Sequence, residues 1–387
     1  MTPPSSLSDF ARRLRLALPR SGPICDREFQ AWALELHGLQ FERNPAYRQL
    51  CLARGSQPDG VKAWEEIPAV PTSAFKECEL TSLPPADRTT IFHSSGTTGQ
   101  VPSRHYHSPE SLAVYEASLT AGFLTQGTPL ITPSRADRRV AAQALFATAR
   151  PQFICLTPPP SEAPHSSLVH MFATLGRELP NAGVAFAGRL DADSGWVLDL
   201  PRVRAAFAEA TAAARPVILT GTAFNYAHLL DALEADSVPG KLPPGSWAME
   251  TGGYKGRSRN IPKAELHAGL ELKLGLARDR ILCEYGMSEL SSQAYDLAQP
   301  GGHEQGDGAP ARTFAFPSWA RARVVSTETG HEVADGEPGL IRIWDLANVW
   351  SVLCVQTEDL AVRRGSGFEL LGRAPRAEPR GCSLMAR

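Results

Sequence analysis

The chain has 387 residues, of which 43% are hydrophobic and 21% charged, so it can bury the large core of a globular protein with two or three lobes. Its formal net charge is −2 and it carries no basic stripe interleaved with aromatic residues, so we expect no nucleic-acid partner. The seven cysteines are scattered without a Cys-x-x-Cys pair, which indicates neither a zinc cage nor a disulfide framework.

The N-terminal region is predicted to be helical. Apolar spacing predicts helices over residues 7–18, 26–39 and 45–53, followed by a proline-stiffened extended segment over 64–71. Three arginines lie within the first helix, so the N-terminus does not have the pattern of a secretory signal. No stretch is apolar and long enough to span a bilayer, and we expect a cytoplasmic protein.

A run of six small residues follows the apolar pair Ile91-Phe92, and each of the six is Ser, Thr or Gly: Ser94, Ser95, Gly96, Thr97, Thr98 and Gly99. Such a loop lets backbone N–H groups converge on an anion, while its hydroxyls supply further donors. The spacing of a Walker loop does not occur in it. The run predicts a phosphate-binding loop, with a surface turn rich in turn-forming residues as the alternative.

After this loop, helices alternate with short apolar runs. Ser108 followed by Pro109 is typical of a helix N-terminus. We predict strands over 129–132, 153–156, 184–187, 217–219, 247–249 and 281–283, and helices over 136–149, 166–178, 201–214, 226–235 and 262–276. This alternation predicts βαβ units and a mostly parallel sheet flanked by helices.

Beyond residue 300 the pattern becomes that of hairpins. Strands are predicted over 320–326, 339–344 and 349–355, divided by turn clusters, which indicates a smaller antiparallel β lobe. We therefore divide the chain into an N-terminal helical part (1–90), an α/β core (91–300), the β lobe with a hinge (301–373), and a short tail (374–387).

Three loops and one acid carry residues suited to a ligand. The first loop is the small-residue run, the second covers residues 250–256 with the glycine pair Gly252 and Gly253, and the third covers 284–289. Asp359 follows the strand predicted to end at residue 355 and can hold a ribose diol or a metal. Each feature alone has an ordinary structural explanation. Together, at strand ends of an α/β sheet, they predict one ligand site.

These motifs as a set resemble the acyl-adenylate-forming superfamily, which includes acyl-CoA synthetases, adenylation domains and luciferases. The resemblance is carried by Ser-Ser-Gly-Thr-Thr-Gly at 94–99, Tyr-Gly-Met-Ser-Glu at 285–289, Thr-Glu-Asp-Leu at 357–360 and Gly-Arg at 372–373. Within the superfamily, the chain is most similar to the acyl-protein synthetases of bacterial luminescence. Four stretches indicate this branch: 67–76, 99–104, 339–348 and 380–384.

The resemblance implies roles for the motif residues. Residues 94–99 would wrap the β- and γ-phosphates of ATP, and Glu289 would hold Mg²⁺. Asp359 would bind the ribose hydroxyls, and Arg373 would lie at the hinge. The adenine would be flanked by Gly252, Gly253 and Tyr285, with Gly286, Met287 and Ser288 completing the nucleotide-binding set. Outside the motifs, His93 and residues 220–228 are further candidates for the site and for an acyl-pocket wall.

The chain departs from the superfamily pattern in two respects. The phosphate loop usually continues with Pro-Lys, whereas here Arg104 is the candidate for the missing cation. Most members also carry a C-terminal lid domain with a catalytic lysine, which is expected to be truncated here. In the luminescence branch a cysteine near the C-terminus accepts the acyl group, and Cys382, beside Arg376 and Arg380, is the candidate.

The resulting expectation is an ATP- and Mg²⁺-dependent ligase that converts a carboxylic acid, expected to be fatty, into acyl-AMP. The acyl group would then pass to Cys382 for delivery to a partner reductase that forms an aldehyde. One alternative keeps the chemistry but gives coenzyme A or a carrier protein as acceptor. A second alternative is a weakly catalytic, adenylate-binding scaffold subunit.

Overall fold

The computed structural model of the protein describes residues 6–18, 22–94, 101–129, 135–191, 195–235, 240–252, 261–298 and 312–374. Ten α-helices lie in these ranges: α1 (Leu7–Ala17), α2 (Asp26–Arg43), α3 (Pro45–Ala53), α4 (Ala74–Glu77), α5 (Pro109–Gln126), α6 (Arg135–Ala149), α7 (Ser167–Glu178), α8 (Leu200–Ala212), α9 (Ala223–Glu234) and α10 (Lys263–Leu274). Among the described residues, no helix has both the length and the apolar character needed to cross a membrane.

The strands of the same ranges are β1 (Val70–Pro71), β2 (Thr90–His93), β3 (Arg104–His107), β4 (Gln152–Cys155), β5 (Gly183–Phe186), β6 (Gly188–Asp191), β7 (Gly195–Leu198), β8 (Val217–Thr222), β9 (Trp247–Thr251), β10 (Ile281–Tyr285), β11 (Ala294–Ala298), β12 (Arg312–Ala315), β13 (Ala320–Val325), β14 (Pro338–Asp345), β15 (Cys354–Arg364) and β16 (Gly367–Arg373). The predicted strand 129–132 lies almost wholly outside the described residues.

One large sheet runs through the fold in the order β13-β14-β15-β16-β12-β11-β10-β9-β8-β4-β5, with β1 paired to β15. From β5 to β10 the neighbours are parallel, and from β10 to β13 they are antiparallel. Two hairpins, β2–β3 and β6–β7, form separate small sheets. The predicted α/β class is confirmed: a large sheet flanked by helices, with small antiparallel sheets.

The parallel strands are buried on both faces because their side chains alternate between two helical layers. Ile154, Leu219, Ala248 and Ile281 pack against α8, α9 and α10 on one face. Phe153, Ile218, Met249 and Leu282 pack against α5, α6 and α7 on the other. Continuous apolar runs are therefore required in these strands, which is why the runs were visible in the sequence.

The N-terminal helices cover the antiparallel half of the sheet. Leu14 of α1 and Phe29 of α2 pack with Trp344 at the end of β14. Tyr47 and Cys51 of α3 pack with Val355 of β15 and neighbouring strands. Buried Gln40 extends this contact, because its amide donates to the carbonyls of Asn348 and Val349 and accepts from the Leu353 N–H.

The predicted strand 349–355 was wrong in its position. Residues 346–353 form turns, and β15 begins only at Cys354. The buried Asp345 carboxylate accepts a hydrogen bond from the Ala347 N–H at 3.0 Å, and the Asn348 amide donates one to the Val352 carbonyl at 3.2 Å. These side-chain hydrogen bonds hold the apolar run in turns instead of a strand. Asp359 consequently lies inside a strand, and its side chain is held by the sheet rather than by a loop.

Five strands were absent from the prediction: β3, β6, β7, β11 and β12. Each is only four or five residues long, so periodicity offers little signal over such a length. β3 matters most, because it pairs with β2 in register and brings Arg104 opposite His93. The division of the chain into four parts stays a prediction.

Candidate functional site

A cavity of about 600 Å³ opens at the carboxyl ends of the parallel strands. Thr222 ends β8, Thr251 ends β9 and Gly286 follows β10, and all three line the cavity. The opposite wall comes from the antiparallel half of the sheet, through Asp359 and Arg373. The cavity therefore lies where the crossover loops leave the sheet, the usual ligand position in such folds.

The structure brings eight of the predicted site residues to this cavity: Ser94, Gly252, Gly286, Met287, Ser288, Glu289, Asp359 and Arg373. Seven others lie outside the described residues: Ser95, Gly96, Thr97, Thr98, Gly99, Gly253 and Cys382. The remaining two, Tyr285 and Arg104, lie next to the cavity wall rather than on it. Residues more than 260 positions apart in the sequence thus meet in one place.

The small-residue loop is the connection of the β2–β3 hairpin, and its ends are held firmly. Ser94 Oγ accepts a hydrogen bond of 2.9 Å from the Ser103 N–H, which closes the base of the loop. Ser103 Oγ lies 3.3 Å from Ser288 Oγ, and His105 Nδ1 donates to the Ser288 carbonyl at 2.7 Å. The hairpin is therefore tied to the 285–289 segment across 180 residues of sequence.

His105 is fully enclosed, and burial lowers its pKa to about 4. The ring is consequently neutral at physiological pH. Because its Nδ1 faces a carbonyl oxygen, the proton resides on Nδ1. His105 thus acts as a fixed neutral donor that orients the Ser288 backbone rather than as a charged group.

Tyr285 joins the two halves of the sheet. Its ring packs among Phe314, Phe316 and Phe368, and its hydroxyl donates to Asp359 Oδ2 at 2.8 Å. Burial raises the pKa of Asp359, while this hydrogen bond and the Arg373 guanidinium, whose Nε lies 3.7 Å from Oδ1, lower it. The Asp359 carboxylate is thereby aimed at the cavity with one oxygen held by Tyr285.

Glu289 lies buried on the cavity wall beside Ser288. Ser288 Oγ donates to Glu289 Oε2 at 3.0 Å, and the Asn348 amide donates to the Glu289 backbone carbonyl at 3.0 Å. The side chain thus offers carboxylate oxygens next to a hydroxyl from a position fixed at its backbone. Such hard oxygen donors suit Mg²⁺.

Arg104 is oriented by the backbone of α4. Its Nη2 donates to the Lys76 carbonyl at 3.2 Å, and its Nε is buried with no hydrogen-bond partner among the described residues. Lys76 thus contacts Arg104 through its backbone carbonyl oxygen. Arg104 stays a candidate cation for the loop, since it begins the strand that leaves it.

Histidine and aromatic side chains form another part of the cavity wall, and among them only His93 and Phe224 had been predicted. His165 stacks on His93 with ring centroids 4.8 Å apart, and burial lowers the pKa of His93, with His165 and Arg104 lowering it further. Tyr115, Trp196 and Phe224 supply aromatic surface. Only the last of these three falls within the segment 220–228 that was expected to form a wall.

Glu284 belongs to the predicted loop 284–289, but the sequence assigned it no role of its own. It lines the cavity, it is 5% exposed, and Thr251 Oγ1 donates a short hydrogen bond to its carboxylate. A Cβ atom added to Gly286 would lie 2.4 Å from Glu284 Oε1, so the glycine makes room for the carboxylate. Strand alternation could have located it, because Glu284 precedes the Tyr-Gly motif and faces opposite to Tyr285.

The fold is shared with solved structures of a 2-hydroxyisobutyryl-CoA ligase. An open conformation in complex with 2-HIB-AMP and CoA has 12% sequence identity and a TM-score of 0.61, over 92% of this chain and 78% of that one. A postadenylation state with 2-HIB-AMP has 12% identity and a TM-score of 0.61, over 92% and 70% of the two chains. The thioesterification state with 2-HIB-AMP and CoA has 13% identity and a TM-score of 0.63, over 92% of this chain and 70% of that one.

No protein-family profile matches the chain, and no curated protein sequence matches it. At 12–13% identity the structural likeness establishes a common fold, whereas the chemistry depends on the residues of the site.

Proposed function

We propose that this protein activates a carboxylic acid with ATP, forming acyl-AMP and pyrophosphate. The observation that carries the proposal is the meeting of Ser94, Gly252, the 286–289 segment and Asp359 around one cavity. Three strand-end loops and an acid across the cavity supply the kinds of groups that an adenylate needs. A ligase with the same fold is known in complex with its own acyl-adenylate, which supports this choice of chemistry.

The cavity suits ATP in size and in polar groups. Its volume of about 600 Å³ falls within the usual range for small-molecule sites. Gly252 has a φ of 64°, so the chain turns there without a side chain and leaves backbone open to a flat base. The Asp359 carboxylate would accept from the ribose hydroxyls, and the loop that begins at Ser94 would contact the phosphates.

Mg²⁺ fits the donor set at Glu289, whose carboxylate and neighbouring Ser288 hydroxyl are hard oxygen groups. A bound Mg²⁺ would offset negative charge where carboxylate and triphosphate approach each other. Side chains of the protein would offset the rest of this negative charge. Arg373, whose side chain is 82% exposed, contributes positive charge at the edge of the cavity.

In the proposed step a carboxylate oxygen of the acid attacks the α-phosphorus of ATP. One oxygen–phosphorus bond forms, the bond from the α-phosphorus to the bridging oxygen of the β-phosphate breaks, and pyrophosphate leaves. No proton transfer is required, so the task of the site is to align two anions and to stabilise the charge between them. In this proposal the backbone N–H groups of the small-residue loop would serve this purpose.

For the second half-reaction we propose transfer of the acyl group to a thiol, with Cys382 as acceptor. The thiolate would attack the acyl carbonyl, a thioester would form, and AMP would leave. Arg376 and Arg380 precede this cysteine in the sequence, and their positive charge would favour its thiolate form. Coenzyme A is the competing acceptor, because the ligase with the same fold binds it. Delivery to a partner reductase would follow only from the first route.

The test of the first half-reaction is formation of labelled acyl-AMP from [α-³²P]ATP, Mg²⁺ and a panel of carboxylic acids. We expect an acid-dependent adenylate with at least one acid. Glu289→Gln should lose it, while Glu337→Gln, a change of an exposed glutamate of the β13–β14 connection, should retain it. Failure of every acid, or equal activity of both variants, contradicts the proposal and favours a scaffold role.

The acceptor is identified by intact-protein mass spectrometry after the same incubation. An acyl mass on wild-type protein that Cys382→Ser abolishes supports the protein thiol, with Cys25→Ser as the matched change of an exposed cysteine. Adenylate formation with an unmodified Cys382 and release of acyl-CoA after addition of coenzyme A would instead assign the acceptor role to coenzyme A.

A further inference from the structure

Three potential metal ligands meet behind the cavity, on the face of the sheet that packs against α10. Glu250 lies on β9, Cys283 lies directly opposite it on β10, and His267 projects from α10. All three are buried, with exposed fractions of 8%, 4% and 8%. Their neighbours Thr251 and Glu284 point to the other face and line the cavity.

The donor atoms of the three side chains converge on one point. His267 Nε2 lies 2.6 Å from Glu250 Oε2 and 3.9 Å from Cys283 Sγ, and Sγ lies 3.6 Å from Oε2. Ligands of a tetrahedral zinc ion, bound at about 2.0 to 2.3 Å, are about 3.3 to 3.7 Å from each other. The two separations from Cys283 Sγ are close to this range. The distance between His267 Nε2 and Glu250 Oε2 would have to increase by under about 1 Å.

The contacts of the histidine ring distinguish this cluster from a nucleophilic triad. In a Cys–His–Glu triad the thiol and the carboxylate contact different ring nitrogens, so that the acid orients the ring while the other nitrogen takes the proton. Here both contact the same nitrogen, Nε2. A ring that contacts both groups through one nitrogen cannot relay a proton between its two nitrogens. Three groups around one cation are expected to converge in this way.

The two buried acids of this region, Asp296 and Glu250, have different hydrogen-bond partners among the described residues. The nearby buried Asp296 accepts from Arg312 Nη2 at 2.9 Å and lies 3.4 Å from Lys263 Nζ. Among the described residues, the hydrogen bonds of the Glu250 carboxylate go to His267 and Cys283. The Lys263 ammonium interacts electrostatically with Glu250, and a metal ion held between the three side chains would contact the buried carboxylate directly.

We propose that Glu250, His267 and Cys283 bind a Zn²⁺ ion. A combination of thiolate, imidazole and carboxylate donors favours zinc over Mg²⁺ or Ca²⁺. On binding, the Cys283 thiol releases its proton to solvent and its sulfur bonds to the metal.

A zinc ion at this point would support the packing of the fold. Its ligands come from two adjacent strands and a covering helix, so the ion would pin α10 to the ends of β9 and β10. Those ends continue into Gly252 and the 286–289 segment on the cavity wall. Binding of the ion is independent of the proposed ligase activity, and it can be measured in a protein that proves inactive.

The first measurement is the metal content of the full chain after dialysis against Zn²⁺ and then against buffer, by mass spectrometry of the metal. We expect about one equivalent of zinc per chain. Cys283→Ser and His267→Gln should each lose most of it, whereas Cys155→Ser, a change of another buried thiol on β4, should retain it. Equal zinc content in all four proteins would assign the metal to another site.

The second measurement does not depend on the variants folding. Titration of the metal-free wild-type protein with Co²⁺ should produce a thiolate-to-cobalt charge-transfer band and raise the melting temperature. Absence of both, together with less than about a tenth of an equivalent of zinc, would overturn the proposal and leave the cluster as a hydrogen-bonded group that stabilises the packing of α10.

Discussion

The hydroxyl of Tyr285 donates a hydrogen bond of 2.8 Å to Oδ2 of Asp359, although the two residues are 74 positions apart in the chain. Tyr285 ends the last parallel strand, and Asp359 lies in the middle of β15. The bond therefore spans the place where the sheet changes from parallel to antiparallel. It links the two walls of the cavity, so its loss should affect ligand binding more than folding.

Tyr285→Phe should weaken ATP binding about five- to tenfold, because a net hydrogen bond is worth about 1 kcal/mol and the Asp359 carboxylate loses its alignment. Tyr295→Phe is a matched control, since that hydroxyl is buried without a hydrogen-bond partner among the described residues. The dissociation constant for ATP, measured by calorimetry, should change only in the first variant. Equal changes would show that the Tyr285 bond does not position Asp359.

Asp359→Asn should weaken ATP binding about 10- to 100-fold, since hydrogen bonds to charged groups contribute about 1.5 to 3 kcal/mol. Its effect on stability should have the opposite sign. Burial raises the pKa of Asp359 in the folded protein, so the native state loses stability as pH rises through that pKa. The uncharged Asn does not incur this loss.

The melting temperature of Asp359→Asn relative to wild type should therefore be higher at neutral pH than at a pH well below about 3.9, the ordinary pKa of an aspartate, where the wild-type carboxyl is protonated in both states. Asp335→Asn, an exposed position in the turn before β14, serves as the control and should show little pH-dependent difference. A larger relative gain at low pH than at neutral pH would contradict the assigned direction of the shift.

His105 should make the protein sensitive to mild acid. Burial lowers its pKa to about 4, below the usual 6.5. At pH values between these two, the ring is therefore protonated in the unfolded chain and neutral in the folded chain. Stability is thus retained above pH 6.5 and lost as pH falls towards 4, by up to about 3 kcal/mol from this residue. Buried His37 and His107 act in the same direction.

His105→Asn keeps a side-chain donor for the Ser288 carbonyl and removes the titrating ring. The variant should be less stable at neutral pH but should lose less stability on acidification, as measured by urea unfolding between about pH 7 and 4.5. His331→Asn, at an exposed position, should leave the acid slope nearly unchanged. An acid slope of His105→Asn equal to that of wild type would refute the contribution of this histidine.

Gly286→Ala should impair activity at least tenfold while costing only about 1 to 2 kcal/mol of stability. The added Cβ would lie 2.4 Å from Glu284 Oε1, so the flexible carboxylate must move within the cavity wall. Gly38→Ala within α2, where a Cβ meets nothing within 4 Å, should keep full activity and slightly raise the melting temperature. Full activity of Gly286→Ala would show that the position of Glu284 is unimportant.

Local signals predicted the elements well where they were strong. The helix predicted over 45–53 matches α3, because Asn44 caps it and Pro45 is tolerated in its first turn. The apolar runs of β8, β9 and β10 were found because strands covered on both faces must be continuously apolar. The run 349–355 has the same composition, yet it is curled by the contacts of Asp345 and Asn348, which no local pattern reveals.

The sequence by itself determined the α/β class and the motifs of the site, since strand ends, glycines and carboxylates leave recognisable local patterns. Only the tertiary structure decided which of them meet. It aligned Tyr285 with Asp359, tied the β2–β3 hairpin to Ser288, and gathered Glu250, His267 and Cys283 on the opposite face of the sheet. The reason is physical: side chains of adjacent residues in a strand leave by opposite faces, so their neighbours are set by strand order and helix packing.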